Sequence, residues 1–185
     1  MNLRLSVVLA TRNEELNIGA CLSSVKDIAD EIIVVDEEST DKTVEIAKSH
    51  GAKVYSTEHS PIFHITKQKA IDKAIGEWIL QLDADERVTP ELADEIKGVI
   101  NMSNNELVTR KLVTEKQNKL FIRHQNHIEQ RDGKIGKLTG EVVAFFVPRR
   151  NFFLGKPLIH AGVYPDGVIR LFKKGKARLP GKSVH

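Results

Sequence analysis

Short apolar runs alternate with amphipathic segments along the first hundred residues. Leu5–Leu9 (LSVVL) is β-rich and apolar throughout, which predicts a buried strand. After the polar segment Ala10–Asn17, residues Ile18, Cys21, Leu22 and Val25 fall at i, i+3, i+4 and i+7, the spacing of one helix face. Glu31–Asp36 (EIIVVD) is a second buried strand ending in a carboxylate. Ser39, Thr40 and Asp41 are candidate N-caps for a helix that contains Val44, Ile46 and Ala47 and stops at Gly51. Ala52–Ser56 predicts a third strand and Ile65–Ile75 a helix closed by Gly76. Glu77–Leu82 (EWILQL) predicts a fourth strand, with Trp78 in its core. Thr89-Pro90-Glu91 then starts another helix, with Pro at its first position.

This β-α-β-α-β-α-β-α order predicts an α/β fold, a Rossmann-like and mostly parallel sheet flanked by helices with right-handed crossovers. Ligands of such sheets bind beyond the carboxyl ends of the strands. Those ends carry Thr11-Arg12-Asn13-Glu14, Asp36-Glu37-Glu38 and Asp83-Ala84-Asp85-Glu86. Three strand ends thus bring polar, mostly acidic residues to one edge.

The pattern changes after residue 100. Residues 103–138 are polar and basic, with 8 Lys and Arg, 4 Asp and Glu, His124 and His127, and read as an insertion or flap with a poorly amphipathic helix around Leu107–Ile128. Glu141–Val147 (EVVAFFV) predicts a strand stopped by Pro148, and Val168–Lys173 (VIRLFK) a further short strand. The expected organisation is one domain over 1–185: a ligand-binding half (1–100), the basic insertion (103–138) and a second half (139–185).

Composition narrows the classes. The 185 residues are 41% hydrophobic and 29% charged, unlike a disordered chain. No apolar run reaches the ~20 residues that span a bilayer. The start, MNLRLSVVLATRNEE, lacks the apolar region and small-residue cleavage site of a signal peptide. The single cysteine, Cys21, excludes an internal disulfide framework and a cysteine-cluster metal site. A reducing cytoplasm is the expected compartment. The net charge of +3 hides an asymmetry: residues 1–100 carry 11 Lys and Arg against 19 Asp and Glu, a formal −8, whereas residues 101–185 carry 17 against 6, a formal +11. That is consistent with an acidic half that holds a cation and a basic half that meets anions.

Asp83-Ala84-Asp85 follows a buried strand. Two carboxylates at i and i+2 can share a hard divalent cation, Mg²⁺ or Mn²⁺, and its bound phosphates. They are also compatible with ordinary enrichment of acids before a helix. Other chemistries lack their motifs. The first βα turn has no G-x-G-x-x-G, and no phosphate loop G-x-x-x-x-G-K-[ST], nucleophile elbow or H-E-x-x-H occurs.

SVVLATRNEE, EIIVVDEESTDKT, KQKAIDKAIGEWILQLDADE and PRRNFFLGKPLIHAGVYPDGVIRLFKKGKAR together resemble the family 2 glycosyltransferases with a GT-A fold. Within these, the likeness is greatest to the bacterial branch that adds sugars to lipopolysaccharide core and similar envelope glycans. The resemblance covers 3–100 and 140–185, not 103–138. It implies an inverting transferase that moves a sugar from a nucleotide-diphosphate donor, UDP-linked, to a glycan or lipid-linked acceptor with Mg²⁺ or Mn²⁺ as cofactor. Thr11, Asn13 and Glu14 match the segment lining the nucleotide pocket, and Asp36 the strand-end Asp that accepts a hydrogen bond from the base. The loop after it usually contains Gly; here it reads Glu37-Glu38-Ser39. Lys67 matches the basic residue facing the diphosphate, with Gln68 where Asn is common. Asp83 matches the residue near the ribose and Asp85 the metal ligand.

An inverting transferase also needs a base to take the acceptor proton. Asp166 stands roughly where the family places an acceptor-side acid before an Arg, although Pro165-Asp166-Gly167 is also a strong turn signal. The family continues Val-His with Glu, so a base or last metal ligand beyond Val184-His185 is the other expectation. His160 and His185 are lesser candidates for the diphosphate or metal. Arg149-Arg150, Arg170, Lys173, Lys174, Lys176 and Arg178 form a basic set, read either as a solvated surface or as a contact with phosphorylated glycan or the cytoplasmic face of an anionic membrane. No nucleic-acid module is present. Two rivals stay open: a non-catalytic or truncated sugar-nucleotide-binding module, and a sugar nucleotidyltransferase, whose Gly-rich basic signature ATRNEE does not supply.

Overall fold

A computed structural model describes residues 3–110, 140–158 and 166–179, Asp166 by its backbone only, with scattered helical positions between 119 and 130. His124, His127, His160, Pro165 and His185 lie outside the described residues. The chain divides into two compact units, Met1–Asn101 with Arg170–His185, and Met102–Ile169.

In the first unit the elements run β1 (Leu5–Thr11), α1 (Ile18–Val25), β2 (Glu31–Asp36), α2 (Thr43–Ser49), β3 (Lys53–Ser56), α3 (Phe63–Lys73), β4 (Trp78–Leu82) and α4 (Pro90–Ile100), and later the end of β8 (Asp166–Lys173). The strand order is β3-β2-β1-β4-β8. The first four strands are parallel; β8 joins β4 antiparallel, with Ile79 opposite Phe172 and Leu80 opposite Leu171. β1 has a strand on each side and is buried along its whole length, which is why its sequence is a continuous apolar run rather than an alternation. The predicted face of α1 is the one the fold buries: Ile18, Cys21, Leu22 and Val25. Trp78 is 1% exposed. Gly76 lets α3 turn into β4 beside β1, because a Cβ there would sit 2.6 Å from Ser6 Oγ and 2.8 Å from the Ser6 amide nitrogen.

Several boundaries differ from expectation. β1 continues beyond Leu9 because Ala10 and Thr11 stay in register with Val35 and Asp36. α2 starts at Thr43 and Lys42 flanks it. Ser39 does not cap α2, since its hydroxyl is bonded to Asp36, whereas Asp41 Oδ1 does accept from the Thr43 amide at 3.0 Å. α4 starts as predicted, with Thr89 Oγ1 accepting from the Leu92 amide.

The second unit contains α5 (Asn104–Thr109), β5 (Ala144–Arg149), a hairpin of β6 (Phe152–Phe153) and β7 (Lys156–Pro157), and the first residues of β8. α5 has a capping box between Ser103 and Glu106. It ends at Arg110, whose ψ of 122° leaves the helical region, so no single helix runs from Leu107 to Ile128. β5 runs through Pro148 instead of stopping before it. Among the described residues β5 pairs with β8 alone, and a strand with a free edge tolerates a residue without an amide donor. Among the described residues, no helix is long and apolar enough to cross a membrane.

Candidate active site

The strand order reverses between β1 and β4, the position at which open α/β sheets bind ligands. At this edge Thr11 ends β1 and Asp36 ends β2, in register with each other. Thr11 Oγ1 donates to Asp36 Oδ1 at 3.0 Å. Ser39 donates its hydroxyl to the same oxygen at 2.5 Å and its amide to Oδ2 at 2.8 Å. Asp36 is 2% exposed, and these three bonds leave it one of the roughly four acceptor positions of a carboxylate.

Asn13 and Glu14 stitch the first βα loop to the second. Asn13, at φ 54°, accepts from the Thr40 amide at 2.8 Å and donates its own amide to Ser39 Oγ at 2.8 Å. The Glu14 amide donates to Thr43 Oγ1 at 2.7 Å, and its carbonyl accepts from the amides of Asn17 and Ile18 where α1 begins. The turn without the usual glycine closes with Glu38 itself at φ 52°, in the left-handed region. Glu37 does not line an open acidic edge. It is 1% exposed and accepts from Thr66 Oγ1, with His59 Nδ1 at 2.7 Å.

At the end of β4, Asp83 is held from both sides. Lys67, from α3, ion-pairs with Oδ1, and Arg170 Nη2, from β8, sits 2.7 Å from Oδ2. The same Arg170 nitrogen lies 2.5 Å from Glu86 Oε1, and Nη1 donates to Gln81 Oε1. Glu86 Oε2 also accepts from the Asp83 amide at 3.0 Å. Burial would raise the Asp83 pKa, but the charges of Arg170 and Lys67 outweigh it and hold the carboxyl at about 2, below an ordinary 3.8. Burial likewise pushes the Cys21 thiol up to about 12, so the one cysteine, whose Sγ lies 3.6 Å from the Asp83 carbonyl, is a neutral core side chain.

Arg170 is the residue that sequence reasoning misplaced. It was expected among the surface basics but is 7% exposed. Its signal is present in VIRLF, where a lone Arg interrupts an apolar strand, the pattern of a buried charge with a partner. Glu86 and Gln81 were missed with it. Asp166 opens β8 in the second unit, four residues before Arg170.

Asp85 is exposed, two residues beyond Asp83. Among the described residues no group of three or more His, Cys, Asp and Glu could hold a metal. One exposed carboxylate still fits Mg²⁺ or Mn²⁺, which commonly take one or two protein carboxylates and complete their shell with phosphate and water. A groove of about 770 Å³ beside β3 and α3, lined by Tyr55, Ser56, Thr57, Lys69 and Asp72, includes none of Thr11, Asp36, Lys67 and Asp83.

Comparison with known proteins places the chain in a family. The chain is 43% identical over 130 residues to an uncharacterised glycosyltransferase of Rickettsia bellii, an alignment covering 69% of this chain and 42% of that protein. It is 38% identical over 89 residues to the glycosyltransferase SunS of Bacillus subtilis, covering 47% and 21%. Among solved structures, S. aureus TarS 1–349 superimposes with a TM-score of 0.50 at 28% identity, covering 54% of this chain and 32% of that one. The chain therefore spans about two fifths of the length of its Rickettsia bellii relative. The fold is mixed α/β of the GT-A type, with a mostly parallel central sheet. Residues 6–161 match the family described as Glycosyl transferase family 2, and the chain belongs to that family.

Proposed function

We propose that this chain carries the donor-binding part of an inverting glycosyltransferase that moves a sugar from a nucleotide-diphosphate donor, UDP-linked, to an acceptor hydroxyl. The observation that carries this reading is the meeting of Thr11, Asp36, Asp83 and Lys67 at the carboxyl ends of β1, β2 and β4 in a family 2 chain. Asp36 is fixed by Thr11 and Ser39 with one acceptor position left, which suits an imide N–H of a uracil-type base. Asn13 and Glu14 shape that pocket by holding the two loops together. Asp83 is kept ionised, able to accept from a ribose hydroxyl, while Lys67 beside it provides positive charge for the diphosphate.

Asp85 would hold Mg²⁺ or Mn²⁺, and a bound cation would supply neutralisation of charge on the departing diphosphate. The residues of the chain orient the donor and stabilise the leaving group. Asp166 is the proposed base for the acceptor hydroxyl, on the strength of the family resemblance, in which an acceptor-side acid precedes an Arg in sequence. The acceptor is a glycan or lipid-linked hydroxyl, and the reaction belongs at the cytoplasmic side.

The test is a thermal-shift panel of nucleotides and nucleotide sugars with and without Mn²⁺, followed by a donor-hydrolysis assay. A ligand that binds only the native state raises the melting temperature by mass action. UDP with Mn²⁺ should stabilise the chain most. No response to any nucleotide overturns the reading, and nucleotide binding without transfer or hydrolysis leaves a binding module in its place.

A further inference from the structure

The β6–β7 hairpin carries an unusual tip. Phe152 pairs with Pro157 and Phe153 with Lys156, so Leu154-Gly155 is a two-residue turn, and the Leu158 amide closes the base on the Asn151 carbonyl at 2.8 Å. Both turn residues have positive φ, 48° at Leu154 and 74° at Gly155. Two positive φ values in a two-residue hairpin turn favour Asn or Asp followed by Gly. Gly155 meets that demand. Leu154 does not, because a Cβ-bearing residue with no polar side chain strains the left-handed region.

Folding gives no reason for leucine there, because Leu154 is 87% exposed, with Phe152 at 62% and Phe153 at 65%. Three consecutive large apolar residues are therefore exposed on a local hairpin at a backbone cost. Isolated exposed apolar residues are ordinary; three in succession at a hairpin turn mark a contact. Basic residues flank it on both sides: Arg150 precedes β6 and Lys156 lies in β7, both exposed.

We propose that this hairpin docks on an anionic lipid surface, with Phe152, Phe153 and Leu154 entering the interfacial layer and Arg150 and Lys156 meeting the headgroups. Apolar side chains beside a pair of cations match a bilayer whose surface is negative and whose interior is hydrocarbon. An apolar protein partner would satisfy the tip but would not call for the cations beside it. This inference concerns vesicle binding alone, so it stands or falls separately from donor binding and transfer.

The experiment is flotation of the chain with vesicles of phosphatidylcholine alone and of phosphatidylcholine with phosphatidylglycerol. The key variant is Leu154→Asn, which gives the turn the residue its backbone favours and so removes the apolar tip without weakening the hairpin. Phe153→Ser combined with Leu154→Asn removes more of it. Arg150→Glu with Lys156→Glu tests the charge. Thermal unfolding of each variant verifies the fold, and sedimentation without vesicles reports self-association. The wild-type chain should float with the anionic vesicles and not with the neutral ones. The double apolar variant and the charge-reversal variant should each bind at least about tenfold more weakly. The proposal is overturned if the wild-type chain ignores anionic vesicles, or if binding depends on the charges and not on Phe153 and Leu154. It is also overturned if the chain binds no vesicles but forms dimers that the tip variants dissociate.

Discussion

Asp83 and Arg170 lie 87 positions apart in sequence, and a guanidinium nitrogen of Arg170 rests 2.7 Å from Asp83 Oδ2. The contact joins the end of β4, where the donor site is proposed, to a strand that enters the sheet antiparallel beside it. With Glu86 and Gln81 on the same guanidinium, one side chain holds the whole Asp83–Glu86 turn.

The first prediction concerns that guanidinium. Its side chain is 8% exposed, and Arg170→Ala takes the guanidinium from Glu86 and from one oxygen of Asp83, whose other oxygen keeps Lys67. Because Asp83 keeps Lys67 and both carboxylates are partly exposed, the cost falls below the about 3–5 kcal/mol of breaking a fully buried pair. Arg170→Lys should recover only part of this, because an ammonium cannot reproduce the planar fork. Denaturant unfolding of the two variants beside the wild-type chain measures both effects.

Acid should expose the same cluster. The Asp83 carboxyl titrates at about 2 in the folded chain and at an ordinary 3.8 when unfolded. A depressed folded pKa gives stability that is fully present above the unfolded value and is lost as pH falls through the folded one. The window is therefore about pH 4 down to about pH 2, and the contribution is on the order of 2 kcal/mol. Asp83→Asn should start less stable near neutrality and show a shallower loss across that window. Denaturation midpoints of both proteins at stepped pH give the comparison, and parallel slopes would contradict the assignment.

The architecture of the first hundred residues was legible because local signals agreed there. The α1 face, the apolar run of β1 and the Thr89-Pro90 start of α4 each specify one structure, and their order implies a parallel sheet. The identity of the strand-end residues was legible too. Their partners were not. That Asp36 takes Ser39, that Glu37 is buried on Thr66 and His59, and that Arg170 reaches Asp83 are all consequences of tertiary packing, which no local spacing encodes. Pro148 misled for a similar reason: its tolerance depends on β5 having one strand neighbour among the described residues, a property of strand pairing rather than of the segment.

Glu38 offers a test of the missing glycine. Its φ of 52° places a side-chain-bearing residue where the left-handed conformation costs about 1–2 kcal/mol. Glu38→Gly removes that strain but increases the freedom of the unfolded chain by up to about 1 kcal/mol. The net expectation is stabilisation by a few tenths to about 1 kcal/mol, read as a higher denaturation midpoint with an unchanged slope. Because the turn also carries Ser39, which holds Asp36, nucleotide binding should be unchanged or tighter, never weaker.

Asp85 should behave in the opposite way to its neighbour two residues earlier. Asp83 is bound to Lys67 and Arg170, so its replacement disturbs folding and site together, and lost activity in Asp83→Ala would not by itself identify a function. Asp85 is exposed, and substitutions at such surface positions usually change stability by no more than about 0.5 kcal/mol. Asp85→Ala should therefore keep the wild-type unfolding midpoint while losing the extra thermal shift that Mn²⁺ adds to UDP. Donor turnover should fall by at least about a hundredfold, the scale of one lost electrostatic contact to a developing charge. UDP alone should stabilise the variant and the wild-type chain equally, since Asp36 and Thr11 are untouched. Retention of the Mn²⁺-dependent shift in Asp85→Ala would remove the cation from this carboxylate and leave the nucleotide pocket as the surviving part of the proposal.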